Sequence, residues 1–267
     1  MKATVLVDNY TLIDRYYFGE PGFSMWIEDG DRRILFDTGY SGIFMKNAEL
    51  LGIDLGETTD VVLSHGHDDH TGGLGPFIEK FGAKGRRLIA HPDALKHKYK
   101  GDREVGLTAD ISGFDIVESP TPMAVSENVI FLGEIPIFHD FEPRYSIGGE
   151  KDAPDGGREE DMLTDDSAVV FTGKDGLAVI TGCSHSGICN IIDYARNIGS
   201  DGRVSAVIGG FHLLKNDERT KRTVEHIAND GIACIAPCHC VCLDVKAELC
   251  RRAFVIETGV GSSFSFD

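Results

Sequence analysis

Along the first third of the chain, apolar residues fall in short runs bounded by glycine, proline and aspartate. "TVLVDN" (4–9), "FSMWIED" (23–29) and "RRILFDTG" (32–39) carry this pattern and predict strands. "GIFMKNAELLG" (42–52) spaces its apolar residues as a helix does and closes on a glycine, so it predicts a helix. "DVVLSH" (60–65) predicts a buried strand, "GPFIEKFG" (75–82) a helix and "RRLIAHP" (86–92) another strand.

The middle predicts antiparallel strands at "DIVES", "MAVSENVIFLG" and "IPIFHDF", between residues 115 and 141. Residues 142–166, "EPRYSIGGEKDAPDGGREEDMLTDD", show no periodicity and are acidic and glycine-rich. A structureless stretch of that length in a compact domain suggests a functional loop, here one that covers a site, with Glu142 and Tyr145 as contacts. The last third repeats strand and helix. "SAVVFTG", "LAVITGCSH", "RVSAVIGGFH" and "IACIAPCH" are strands; "GICNIIDYARNIG", "ERTKRTVEHIANDG" and "DVKAELCRR" are helices. Mixed order early and alternation late predict an α/β fold whose sheets carry helices on their outer faces.

Composition narrows the class. The chain has 267 residues, 42% of them hydrophobic, enough for one large core. We expect a single domain over 1–267. The formal net charge of −17 disfavours nonspecific binding to nucleic acid or to anionic membranes. It leaves room for a small anionic substrate. Seven cysteines, an odd number, in a chain too large to need staples point to reduced thiols and a cytoplasmic protein.

The chemistry concentrates in "VVLSHGHDDHTGG" (61–73), where a buried strand runs out. Alternate residues of an extended backbone project the same way, so His65 and His67 can grip one ion together. Asp69 and His70 lie past the bend, within reach of a second ion. Imidazole and carboxylate suit zinc first, and also iron or manganese. Gly66, Gly72 and Gly73 give the backbone freedom around these donors.

"SHGHDDHTGGL", with "ILFDTG" upstream, resembles the signature of the metallo-β-lactamase fold superfamily. "ITGCSHSGI" (180–188), "VIGGFHL" (207–213) and "APCHC" (236–240) extend the resemblance to one branch, the 7,8-dihydropterin-6-methyl-4-(β-D-ribofuranosyl)aminobenzene-5′-phosphate synthase-like proteins. The resemblance implies an αββα sandwich with a dinuclear metal site at one edge.

Each ion needs about three protein ligands plus water, so further donors must come from other strand ends. Three later strands end in histidine: His185, His212 and His239. We assign His65, His67 and His185 to one ion, and Asp69, His70 and His239 to the other. His212 is read as a proton donor or substitute ligand. The resemblance implies a bridging aspartate after "TG", where this chain has Cys183, so the thiolate, His185 or water bridges instead. It also favours Asp37 as the carboxylate behind a metal-bound imidazole.

Two ions sharing a water lower its pKa from 15.7 toward about 7, which supplies a hydroxide at neutral pH. Asp69 would orient that water and carry its proton. We therefore expect a dinuclear hydrolase acting on a small-molecule ester, lactone, amide or phosphoester. The branch implies a pterin–ribosylaminobenzene phosphate condensation as the alternative. Diiron reduction of oxygen or nitric oxide is a third reading, weakened because those relatives carry glutamate where this chain has His67.

Three features stand apart. Strand period puts Cys234, Cys238, Cys240 and Cys242 on the face opposite His239, as packing residues. Lys96, Lys98, Lys100 and Arg103 gather in an otherwise acidic chain and could meet a substrate phosphate or carboxylate. His91, His97, His139 and His226 lack a partner at metal spacing. A homo-oligomer is compatible with all of this.

Overall fold

Period-two alternation decides which layer each side chain joins. In the strand Arg32–Phe36, Ile34 and Phe36 point into a central layer, and Leu35 points to the other face. In Gly176–Thr181, Ala178 and Ile180 enter the same central layer while Leu177 and Val179 face outward. The computed structural model describes residues 1–199 and 202–267. It places two sheets face to face across that layer.

The first sheet has seven strands, in the order Ser263–Ser265, Lys2–Val7, Ser24–Asp29, Arg32–Phe36, Asp60–Val62, Arg87–Ala90, Asp115–Glu118. The second has six: Cys234–Cys238, Val204–Gly210, Gly176–Thr181, Ala168–Gly173, Val129–Phe131, Met123–Ala124. Helices Ile43–Leu50 and Leu74–Phe81 cover the first sheet through Phe44, Ala48, Leu74 and Phe77. Helices Ile188–Ile198, Glu218–Asn229 and Leu243–Arg252 cover the second. This is the expected αββα sandwich. Each fully buried isoleucine or phenylalanine in the layers contributes about 1.5–3 kcal/mol, so the strand ends are anchored in rigid material.

The middle of the chain departs from its sequence pattern. Asp115–Glu118 pairs in parallel with Arg87–Ala90 rather than joining an antiparallel set. "IPIFHDF" is not a strand. The amides of Phe138 and His139 donate to Asn190 Oδ1 at 2.7 and 3.0 Å, so its backbone bonds go to a helix side chain instead of a ladder. Segment 142–166 is not structureless either. Glu150–Asp152 and Arg158–Glu160 form a hairpin that pairs with Lys98–Lys100, completing a four-stranded sheet with Arg103–Glu104. These strands are two or three residues long and mostly charged, too short for alternation to register. Among the described residues, no helix is long and apolar enough to cross a membrane.

Candidate metal centre

Where strands run parallel, their carboxyl ends open at one edge of the sheet. Arg32–Phe36 and Asp60–Val62 are parallel neighbours, as are Gly176–Thr181, Val204–Gly210 and Cys234–Cys238. The residues just past these ends are Asp37, Ser64 and His65, Cys183 to His185, His212, and His239. Asp37, Ser184, His212 and His239 each hold a left-handed backbone, with φ of 55°, 63°, 48° and 50°. Side chains rarely adopt that conformation, and it concentrates here as the chain turns abruptly to aim donors at one point.

Two groups of donors result. His65, His67 and His185 form the first: His65 Nε2 lies 3.0 Å from His67 Nδ1, and the His65 and His185 rings are 4.9 Å apart. Asp69, His70, Cys183 and His239 form the second. His70 Nε2 and His239 Nε2 face each other at 3.2 Å, and Cys183 Sγ lies 3.3 and 3.2 Å from them. Asp69 Oδ2 lies 3.4 Å from His239 Nε2 and 3.7 Å from His70 Nε2. The groups adjoin, with the His65 and His70 rings 4.2 Å apart. All six residues assigned from the sequence are thus brought together, and Cys183 joins the second group.

Hydrogen bonds behind the rings fix their tautomers. Asp37 Oδ2 accepts from His70 Nδ1 at 2.7 Å, which turns the Nε2 lone pair toward the cluster. Asn9 Oδ1 accepts from His239 Nδ1 at 2.9 Å with the same result. Ser64 Oγ donates to Asp37 Oδ2 at 2.7 Å and accepts from His65 Nδ1 at 2.9 Å, freeing His65 Nε2. Lone pairs therefore point at lone pairs, an arrangement that is repulsive until a cation sits among them. His185 adds a second sign: both its ring nitrogens are buried and have no hydrogen-bond partner among the described residues. The donor set fits divalent ions of the zinc type.

The same crowding sets the proton affinities. Burial and neighbouring imidazoles hold His65 and His185 well below the usual histidine range. Burial also opposes a charge on His70, but Asp69 and Asp37 together outweigh it and raise the ring to about 9, so a proton competes with the ion for its Nε2. Asp69 is held well below the usual carboxylate range; burial works against this, and His70 and His239 overcome it. Burial pushes the Cys183 thiol up, with Cys240 beside it adding to the effect.

Several supporting residues carried no sequence motif. Asp8 Oδ1 accepts the His239 amide at 2.6 Å, and Asp165 Oδ2 accepts the Gly66 amide at 2.8 Å. "VDN" at the end of the first strand was the available signal for Asp8 and Asn9. Gly182 is required because a Cβ there would stand 2.0 Å from Ser64 Oγ.

Cys240 corrects the expectation for the cysteine run. Cys238 packs in the central layer as expected, but Cys240 groups with Cys183 and His212 beside the metal donors. The strand stops at Cys238, and the left-handed turn at His239 breaks the alternation on which the expectation rested.

The basic cluster also divides. Lys98 is buried and pairs with Asp161 and, at 3.1 Å, with Asp165; Lys96 pairs with Asp93. Only Lys100 and Arg103 reach the cavity above the donors. That cavity has a volume of about 700 Å³ and is also lined by Tyr10, Tyr40, Ile147 and His212. From segment 142–166 it is Ile147 that reaches the cavity. Glu142 is buried under the start of the helix Ile188–Ile198, accepting the Cys189 and Asn190 amides at 2.9 and 3.1 Å, and Tyr145 stacks under Arg219.

Two predictions arise here. Cys183→Ser should weaken metal binding at the second donor group and remove the thiolate-to-cobalt charge-transfer band of cobalt-loaded protein; an unchanged band and titration would leave Cys183 as packing. Asp166 is the other. Burial raises its carboxyl to about 6, and only Oδ2 has a partner, the Ser186 amide at 2.8 Å. An acid raised above its unfolded value of 3.8 costs stability as pH climbs from 3.8 through about 6. Asp166→Asn removes that cost, so the variant should gain up to about 3 kcal/mol on wild type between pH 4 and pH 7. Parallel denaturant midpoints at the two pH values would contradict this.

A family model, the metallo-beta-lactamase superfamily, matches residues 17–239. An uncharacterized protein of Methanocaldococcus jannaschii is 33% identical over 244 residues, 88% of this chain and 89% of that one. The 7,8-dihydropterin-6-methyl-4-(β-D-ribofuranosyl)-aminobenzene-5′-phosphate synthase of the same organism is 30% identical over 93% of this chain and 89% of its own. The crystal structure of Tm1679, a metal-dependent hydrolase of the β-lactamase superfamily, superposes with a TM-score of 0.85 at 31% identity over the whole of both chains.

Proposed function

The chain belongs to the metallo-β-lactamase superfamily, and on that premise we propose that it is a dinuclear metal-dependent hydrolase of a small-molecule ester, lactone, amide or phosphoester. One observation carries the reading: two adjoining groups of converging donors at the floor of a cavity of about 700 Å³. His65, His67 and His185 would hold one ion; Asp69, His70, His239 and Cys183 would hold the other. Bound there, two divalent ions, zinc first, lower the pKa of a water and polarise the bond under attack.

The side chains do the rest. Asp69, about a third exposed toward the cavity, orients the attacking water and accepts its proton. His212 lies against His185, with ring centroids 4.3 Å apart, and lines the cavity as donor to the leaving group. Arg103 and Lys100 favour an anionic substrate. Arg103→Ala should raise KM for a phosphorylated substrate about tenfold more than for a neutral one, the worth of one charged contact. Equal changes would remove Arg103 from recognition.

A synthase relative at 30% identity supports a second reading, in which the same centre stabilises negative charge during a condensation. A substrate panel separates them. The metal-loaded protein should turn over a phosphodiester, phosphomonoester, lactone or ester, lose that activity to a chelator and regain it with zinc or manganese. Turnover only when a ribosylaminobenzene phosphate and a pterin are supplied together would replace hydrolysis with condensation.

A further inference from the structure

On the outer helical layer, away from the centre, three residues that the sequence left unconnected come together. His139 precedes the buried Glu142, Asp193 lies on the helix Ile188–Ile198, and His226 lies on Glu218–Asn229. One donor atom from each falls within 4.8 Å of the others. His139 Nε2 meets Asp193 Oδ2 at 2.8 Å, and the His139 and His226 rings cross at 67° with centroids 4.6 Å apart. We infer that His139, Asp193 and His226 form an independent structural site for a divalent transition metal of the zinc type.

The donor chemistry is two imidazoles and one carboxylate, the set that suits zinc, cobalt or nickel rather than calcium or magnesium. His226 Nε2 is buried and has no hydrogen-bond partner among the described residues; its nearest acid, Asp230 Oδ1, stands 4.0 Å away. A buried ring nitrogen bonded to none, on a histidine grouped with two other donors, is what an ion would complete. Arg196 prepares the carboxylate. It donates to Asp193 Oδ1 at 3.1 Å and to Asp230 Oδ1 at 2.8 Å, which fixes the side chain and leaves Asp193 Oδ2 aimed at the histidines. A surface cavity of about 330 Å³, lined by His226, Asp230 and Glu225 among others, opens beside the cluster and would admit the ion and a water as its fourth ligand.

The position explains what such a site would do. Residues 134–149 run as irregular chain, held to the helical layer through Asn190, whose Oδ1 accepts the His139 amide at 3.0 Å. Asn190 Nδ2 donates to the carbonyls of Glu142 and Ser186 at 2.9 and 2.7 Å, so the same residue steadies the turn that carries His185. An ion bridging one ligand from the irregular chain and one from each of two helices would clamp all three segments together.

The test is a comparison of the full chain with His226→Gln and with Asp193→Asn. Each is loaded with cobalt or zinc and passed through gel filtration before metal analysis. Each variant should carry about one ion fewer per chain than wild type, whatever number the main centre holds, and keep its hydrolytic turnover. Added zinc should raise the melting temperature of wild type that retains its main-centre ions by several degrees and leave that of both variants unmoved. Equal metal content in wild type and both variants overturns the site, as does an ion that gel filtration strips from wild type. Gln and Asn keep the helical surface polar, and matching melting temperatures without added metal would show that a lost ion is not a lost fold.

Discussion

Replacing His67 or Asp69 by alanine should lower turnover by at least about a thousandfold and leave each protein short of metal. An ion's polarising effect is worth several kcal/mol, and each 1.4 kcal/mol is about tenfold in rate. The two substitutions should act on different ions. His67 belongs with His65 and His185, and Asp69 with His70, Cys183 and His239. Neither deletion should unfold the chain, because both side chains lie toward the cavity and are only partly covered. Asp69→Asn refines the result: it keeps the size and removes the charge, so it should retain more metal than Asp69→Ala while losing the proton acceptor. Metal content by atomic spectroscopy and kcat/KM on the best panel substrate read both effects. Wild-type content together with wild-type turnover in both alanine variants would sink the assignment.

The first and last thirds of the fold were legible because their strands are long enough to alternate or run apolar, and helices such as Leu74–Phe81 and Ile188–Ile198 stop at a glycine. Glu218–Asn229 also carries a start signal, with Asp217 accepting the Thr220 amide at 3.0 Å. The middle was legible only in part: Met123–Ala124 and Val129–Phe131 pair antiparallel as expected, but strands of two to four residues and internally paired charges hid the rest. Lys98 shows why: a lysine in a basic cluster reads as surface, yet Asp161 and Asp165, over sixty residues on, bury it. Sequence distance hides such partners, and only tertiary structure returns them.

The site divides along the same line. His65, His67, Asp69 and His70 are contiguous, and His185 and His239 follow apolar strands, so local pattern found them. Asp8 and Asn9 hold His239, and Asp165 holds the Gly66 amide between His65 and His67, from positions far away in sequence, and no local pattern marks that. Cys240 was placed on the wrong side by an argument sound for a continuing strand. It failed because His239 takes φ of 50° and ends the alternation. Asp37, His212 and His239 were named from the sequence, but their left-handed backbone, which turns the chain at the strand ends, was not.

Asp37 is where fold and chemistry meet, and its substitutions should separate the two. Its carboxylate is fully buried and accepts three hydrogen bonds: the Ser64 amide and hydroxyl, each at 2.7 Å, and His70 Nδ1 at 2.7 Å. Asp37→Ala strips all three donors of their partner in a place water does not reach. The expected cost is about 3–5 kcal/mol, a fall of roughly 10 °C in melting temperature for a chain this size. Metal affinity should fall by about 10–100-fold as well, because the His70 ring loses its orientation. Asp37→Asn is the sharper experiment. Asparagine tolerates the left-handed backbone, and its carbonyl can still accept the Ser64 amide, so most of the stability should survive. Its amide nitrogen, however, must donate toward His70 Nδ1. That forces the proton onto Nε2, which then points at the ion instead of offering a lone pair. Metal affinity should therefore drop in Asp37→Asn nearly as far as in the alanine variant while the melting temperature recovers. An Asp37→Asn protein that titrates metal like wild type would reduce Asp37 to a turn residue and leave the tautomer argument without its anchor.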